Sequence, residues 1–140
     1  MTCFVFVYGT LRQGQVNDIN LKQPKPSLMG LSFVNGQLYN RGWYPGLSLG
    51  GAHQVLGEVY EVSHELLAQL DDLEEITPIP SGEYQRVVTE LVCGERRLSC
   101  YVYELTPAFA AQSPKIDTFM NDWNENKYLE WRRSGVADGA

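Results

Sequence analysis

Long apolar runs are missing from this chain of 140 residues: the longest, Cys3 to Tyr8, has six. A membrane-spanning helix needs roughly 18 or more, so none is expected. The first basic residue is Arg12, so the charged start and the longer apolar stretch of a secretory signal are absent too. A cytoplasmic location is the expectation. Cysteine is scarce. Cys3, Cys93 and Cys100 form an odd set with no C-x-x-C pair and no histidine cluster, which leaves no zinc site and points to free thiols acting as small hydrophobes. His53 and His64 have no nucleophile beside them. A metal site is therefore not expected.

Positive charge is lacking in the middle of the chain. No Lys or Arg lies between Arg41 and Arg86, where eight carboxylates fall: Glu58, Glu61, Glu65, Asp71, Asp72, Glu74, Glu75 and Glu83. That block carries −8 of a formal net charge of −6, and the remainder is +2. It would repel a nucleic-acid backbone, and no nucleic-acid motif occurs elsewhere. Most of these carboxylates are expected on solvated faces.

Hydrophobic residues at 44% and charged residues at 20% make an ordinary folding composition, and the length suits one domain over residues 1–140. Cys3 to Tyr8 reads as a buried strand that stops at the glycine of Tyr8-Gly9-Thr10-Leu11. Further strands are expected over Met29–Tyr39, Val55–Val62, Gln85–Val92 and Leu98–Leu105. The last two are joined by a hairpin at Cys93-Gly94-Glu95-Arg96, and a second hairpin turn is expected at Asn35-Gly36. The segment Gly42 to Gly51 is too rich in glycine for a regular element and reads as an ordered loop.

Two helices are expected. Ser63 is a fitting N-cap for the first, Glu65 suits its dipole, and Leu66, Leu67, Leu70 and Leu73 form its stripe. For the second, Ser113 caps, Pro114 takes the first position, and Ile116, Phe119, Met120 and Trp123 recur at helical spacing. This second stripe suits core packing, or the interface of a homodimer. Strands dominate with helices interspersed irregularly, so the expected fold class is α+β, a mixed or largely antiparallel barrel and not a doubly wound sheet.

One carboxylate breaks the first helix's pattern. At about 100° per residue from Leu66, the stripe centres near about 30°, Asp72, Glu75 and Asp71 lie away from it or at its edge, and Glu74 falls near about 80°, inside it. Asp71, Asp72 and Glu75 are expected in solvent. An inward Glu74 would have its proton affinity raised by desolvation, as a general acid-base catalyst requires. The competing readings are that Glu74 ends the helix and turns to water, or that it pairs with Arg86 or another base inside the fold. The glycine bend offers a second piece, because backbone N–H groups exposed at Tyr8-Gly9-Thr10-Leu11 can bind a carboxylate or a developing oxyanion.

Taken in order, Phe4-Val5-Phe6-Val7-Tyr8-Gly9-Thr10-Leu11, Tyr44-Pro45-Gly46-Leu47, Gly57-Glu58-Val59-Tyr60-Glu61-Val62, Leu70-Asp71-Asp72-Leu73-Glu74 and Tyr84-Gln85-Arg86 resemble the gamma-glutamylcyclotransferase-like superfamily, and most of all its short Y-G-T-L branch, which includes gamma-glutamylamine cyclotransferases. The resemblance spans residues 4 to about 105. It implies a small mixed β-barrel with flanking helices and no metal or organic cofactor. It also implies that Tyr8, Gly9, Thr10 and Leu11 hold the substrate's α-carboxylate and that Glu74 is the acid-base residue. The family commonly follows this glutamate with glycine, whereas Glu75 stands here, and Pro78 and Pro80 follow.

The chemistry implied is intramolecular. A γ-glutamyl amide carries its own nucleophile, so one carboxylate can take a proton from the α-amine and return it to the leaving amine, giving 5-oxoproline. Tyr84 and Tyr103 are candidate pocket walls. The expected partner is a small γ-glutamyl amine or amino acid, with no nucleic acid and no membrane. Two alternatives keep the same fold: a non-catalytic small-molecule binding module, and a cyclotransferase for a different acyl amine in a specialised pathway.

Overall fold

The computed structural model describes residues 2–42, 44–74 and 81–116. Its elements are β1 (Thr2–Val7), β2 (Ser27–Asn40), β3 (Pro45–Ser63), α1 (His64–Leu73), β4 (Tyr84–Cys93), β5 (Arg96–Leu105) and α2 (Pro107–Ala111). The strands form a mixed five-stranded sheet in the order β2-β3-β1-β5-β4. β1 runs antiparallel to β3 and parallel to β5, so the apolar first strand lies at the centre, where both of its edges are hydrogen-bonded. The sheet curls until its two outer strands approach each other. The Ser32 hydroxyl on β2 donates to the Val92 carbonyl on β4 (2.6 Å). The result is the α+β barrel-like architecture expected.

Alternation of side chains divides the core in two, as the two-residue period of a strand requires. Phe6, Val34, Leu38, Val59, Cys100 and Val102 pack inside the curl. Val5, Val7, Tyr60, Val62, Tyr103 and Leu105 face the other way and are covered by Leu66, Leu67 and Leu70 of α1 and by Leu11 and Ile19. α1 begins as its sequence dictates: the Ser63 hydroxyl accepts from the Leu66 amide (3.1 Å), and Glu65 sits in the first turn. Leu73, the last residue of the stripe, is half-exposed at 40%. Cys3, Cys93 and Cys100 are free thiols, and no group of metal ligands occurs among the described residues. No described helix is long and apolar enough to cross a membrane.

Several expectations on local structure need correction. Asn35-Gly36 is not a hairpin turn. It is an irregularity inside a continuous β2–β3 pairing that runs from Ser27↔Glu61 to Asn40↔Pro45. The chain reverses later, where the Arg41 amide donates to the Tyr44 carbonyl (3.0 Å). The segment read as a loop is, from Pro45 onward, the start of β3. Its glycines do not break the strand because long-range pairing to β2 supplies its hydrogen bonds, and tertiary pairing outweighs local propensity. Gly94 supports the expected hairpin, with φ +63° between β4 and β5. Residues 107–111 form a helix that was not expected. Ser113 and Pro114 do not open one: the Pro114 carbonyl accepts from Asn40 and the Ile116 amide donates to Leu38, which places 114–116 alongside β2. Phe119, Met120 and Trp123 lie outside the described residues, as does Glu75.

Gly57 is set against β1 so closely that a Cβ there would meet the Phe6 ring and the Val7 carbonyl oxygen, each at 2.4 Å. Neither can yield, one being a core aromatic and the other backbone. Gly57→Ala is therefore expected to lower the unfolding free energy by about 2 kcal/mol or more, measured by equilibrium denaturation; a loss under about 0.5 kcal/mol would contradict this packing.

Candidate active site

Where β1 ends, Tyr8 is extended (φ −136°) and Gly9 turns left-handed at φ +63°, a conformation glycine adopts without the Cβ penalty. Residues Gly9–Leu11 then form one 3-10 turn. The first amides of such a turn have no acceptor inside it. The loop is held from outside: the Asn17 amide donates to the Thr10 carbonyl (2.9 Å) and the Asn17 side chain to the Thr10 hydroxyl (3.2 Å). Farther along the loop, the Arg12 Nε donates to Glu58 (3.0 Å), and the Gln13 amide and the Tyr60 hydroxyl donate to the same carboxylate (2.9 and 2.8 Å). Glu58, one of the eight carboxylates of which most were expected on solvated faces, is 5% exposed. Its charge is buried because three donors surround it.

A cavity of about 320 Å³ opens beside this turn, lined by Tyr8, Thr10, Leu11, Asn17, Tyr44, Leu73, Glu74, Glu83, Tyr84 and Tyr103 among others. Tyr8, Thr10, Leu11, Glu74, Tyr84 and Tyr103 are thus brought together, and Gly9 is buried at the head of the same turn. Glu74 is the C-cap of α1, its amide donating to the Leu70 carbonyl (2.9 Å). It does end the helix, as one reading held, yet it lines the cavity as the wheel predicted. The described side-chain bond of Arg86 goes elsewhere: its Nη1 donates to Asp71 Oδ2 at 2.6 Å, and the guanidinium stacks over the Tyr101 ring at 4.5 Å.

Asp71 is the clearest miss of the helical wheel. Expected in solvent, it is 8% exposed, because β5 and β4 present it with partners that the helix alone cannot reveal: the Tyr103 hydroxyl (2.7 Å) and Arg86. Glu83 and Tyr44 were missed as well. Glu83 Oε2 accepts from Arg41 Nε (2.9 Å) and from the Tyr44 hydroxyl (2.6 Å). The only sequence signals were that Tyr44 opens one of the ordered blocks and that Glu83 adjoins Tyr84.

The four cavity tyrosines are held by their hydroxyls. Tyr8 donates to the Tyr103 carbonyl (2.6 Å) and accepts from the Leu47 amide (3.1 Å). Tyr84 donates to the Pro45 carbonyl (3.1 Å) and Tyr103 to Asp71. Burial first, then nearby carboxylates and, at Tyr84, the Tyr8 phenol ahead of them, hold the phenols of Tyr8, Tyr84 and Tyr103 well above their ordinary range, and Tyr44 is pushed up to about 12. Glu74 contributes to the rise at all four, a sign that its charge is felt throughout the cavity. These phenols stay protonated near neutral pH and act as donors. Among the described residues lining the cavity the carboxylates are Glu74 and Glu83, and Glu83 accepts from Arg41 and Tyr44.

A mixed curled sheet thus places a carboxylate at a helix end and residues of a glycine turn in the lining of one tyrosine-rich cavity. A family model described as gamma-glutamyl cyclotransferase, AIG2-like, matches residues 5–125, and the chain belongs to that family. The match extends past the segment over which the motifs alone carried the resemblance. The chain is 44% identical over 141 residues to the gamma-L-glutamyl-butirosin B gamma-glutamyl cyclotransferase of Niallia circulans, covering 96% of this chain and 82% of that protein. It is 38% identical over 101 residues to the gamma-glutamylcyclotransferase family protein YtfP of Escherichia coli K12, covering 71% and 81%. Among solved structures, an aig2-like protein from Mus musculus superposes with a TM-score of 0.70 at 26% identity, with 88% of each chain covered. Family and relatives support gamma-glutamylcyclotransferase activity in general and a small-molecule substrate.

The raised phenols have a measurable consequence. A tyrosine whose folded pKa exceeds its unfolded value of about 10 contributes stability that is present below that value and lost as pH rises above it. Spectrophotometric titration reads this as phenolate absorbance followed with rising pH. Tyr8, Tyr84 and Tyr103 should ionise only together with unfolding, and the denaturation midpoint should fall steadily above pH about 10. Ionisation of all eight tyrosines in one step near pH 10, with the fold intact, would contradict these environments.

Proposed function

We propose that this protein cleaves a γ-glutamyl amide by ring closure, releasing 5-oxoproline and a free amine. The observation that carries this reading is the presence of Glu74 in one cavity with the turn formed by Gly9, Thr10 and Leu11. The amides of that turn bind the substrate's α-carboxylate, which needs no cationic side chain because the backbone dipoles are already oriented. Tyr84 and Tyr103 wall the cavity and hold the chain bent. Glu74 takes a proton from the α-amine as its nitrogen attacks the γ-carbonyl carbon. The carbonyl oxygen carries the developing charge. When the intermediate collapses, the C–N bond to the leaving amine breaks and Glu74 returns the proton to that nitrogen, so the carboxylate ends the cycle as it began. Bending the chain into a five-membered ring makes the attack intramolecular, which supplies a large share of the rate. No metal or organic cofactor enters.

The identity of the leaving amine is open between amines and amino acids. The relative from Niallia circulans, whose name gives γ-L-glutamyl-butirosin B as its substrate, aligns with 96% of this chain, which favours including amides of compounds other than amino acids among the candidates.

The test is incubation with panels of γ-glutamyl amines and γ-glutamyl amino acids and quantification of 5-oxoproline. Glu74→Gln is expected to lower turnover by roughly 10²–10⁴-fold, the usual range for removing a general acid-base group, with little change in folding. Turnover unaffected by Glu74→Gln would overturn the mechanism. Tight binding with no turnover of any amide would favour a binding module on the same fold.

A further inference from the structure

The charges lining the cavity are of one sign. Among its described lining residues stand two carboxylates, Glu74 and Glu83, and no Lys, Arg or His. A γ-glutamyl head group brings one negative and one ionisable amino group. On the reading above, the first is taken by the Gly9–Leu11 amides and the second by Glu74. Glu83 is left over. Its side chain is 14% exposed, and both of its described bonds, from Arg41 and Tyr44, fall on the single oxygen Oε2. The balancing cation does not share the cavity. Arg41 is absent from its lining and is held away from it, its Nη1 donating to the Ser113 hydroxyl (2.9 Å) and its guanidinium over the Phe109 ring at 4.9 Å. The pair therefore turns its negative end toward the substrate.

Resting on the cyclotransferase reading, we propose that Glu83 is a specificity-determining residue that receives a cation carried by the leaving group, so that the preferred substrates are γ-glutamyl amides of compounds bearing a second amine. An ammonium near Glu83 gains a charge-assisted contact in a partly desolvated site. A leaving amino acid would bring a carboxylate toward the same oxygen and be repelled. Tyr44, donating to Glu83, fixes the carboxylate's orientation and forms the adjoining wall.

Three matched γ-glutamyl amides test this: those of a linear diamine, of an alkylamine of the same length, and of an ω-amino acid of the same length. The diamine amide is expected to exceed the alkylamine amide in kcat/KM by about tenfold, with the carboxylate-bearing amide lowest, and Glu83→Gln should bring the three toward equality. Calorimetric binding to the Glu74→Gln protein reads the same ranking without turnover. That ranking in binding, with no 5-oxoproline from the unaltered protein, would overturn the catalytic reading and leave the Glu83 assignment standing. Because Glu83→Gln also removes the partner of Arg41, ionic strength supplies a second readout on the unaltered protein. The diamine preference should shrink as salt rises from roughly 0.01 M to 1 M. Equal binding or turnover of the three amides, a ranking that survives Glu83→Gln or high salt, or no binding of any amide would each overturn the proposal.

Discussion

The hydroxyl of Tyr8 ties the site to the sheet. It sits at the end of the central strand, donates to the backbone of β5 at Tyr103 and accepts from the backbone of β3 at Leu47. Three strands thus meet at one buried oxygen. A buried phenol left unsatisfied would be costly, so this arrangement fixes where β1 must stop and which way the next residue must turn. Gly9 then bends the chain at the one point where a side chain would resist. The turn, the cavity and the wall formed by Tyr103 all follow from that anchor. Thr10 and Leu11 line the site because of where Tyr8 is held.

Around this anchor the protein holds three carboxylates, Glu58 and Asp71 buried and Glu83 half-buried, each with its own set of donors. Glu58 faces Arg12, Gln13 and Tyr60; Asp71 faces Arg86 and Tyr103; Glu83 faces Arg41 and Tyr44. All three belong to the long acidic stretch that lacks any Lys or Arg of its own. Its charges are balanced by arginines from elsewhere in the chain, brought in by the β2–β3 and β4–β5 pairings and by the loop after β1. Such pairs are weak sources of net stability, since desolvation offsets much of the attraction. Their consequence here is positional. They fix Tyr103 and Tyr44 as walls, and they leave Glu74 as the carboxylate at the helix end.

How much was legible in the sequence depended on the range of the interactions involved. The Ser63 cap, the hairpin at Gly94 and the buried β1 rest on contacts within a few residues, and each is found where the pattern placed it. Glu74 was singled out by helical geometry, a local property, and it is among the residues that line the cavity. Asp71 was misjudged by the same geometry, because a wheel knows the helix's own stripe but not the Tyr103 and Arg86 that later strands deliver. The Gly42–Gly51 segment was misjudged because its strand is enforced by β2 across the pairing, and glycine-rich composition says nothing about a partner dozens of residues away. The Pro114 signal failed similarly: residues 114–116 bond to β2.

By itself the sequence determined the strand–glycine turn, the capped helix and the ordered set of motifs that marks the family, and it singled out the glutamate at the helix end. These are written in neighbours and periods. The tertiary structure alone decided which carboxylates are buried, that Tyr8 joins β3 to β5, and that Glu83 with Tyr44 enters the cavity beside Glu74. The physical reason is that burial and electrostatic pairing depend on what the fold brings near, and those partners lie tens of residues apart in the chain.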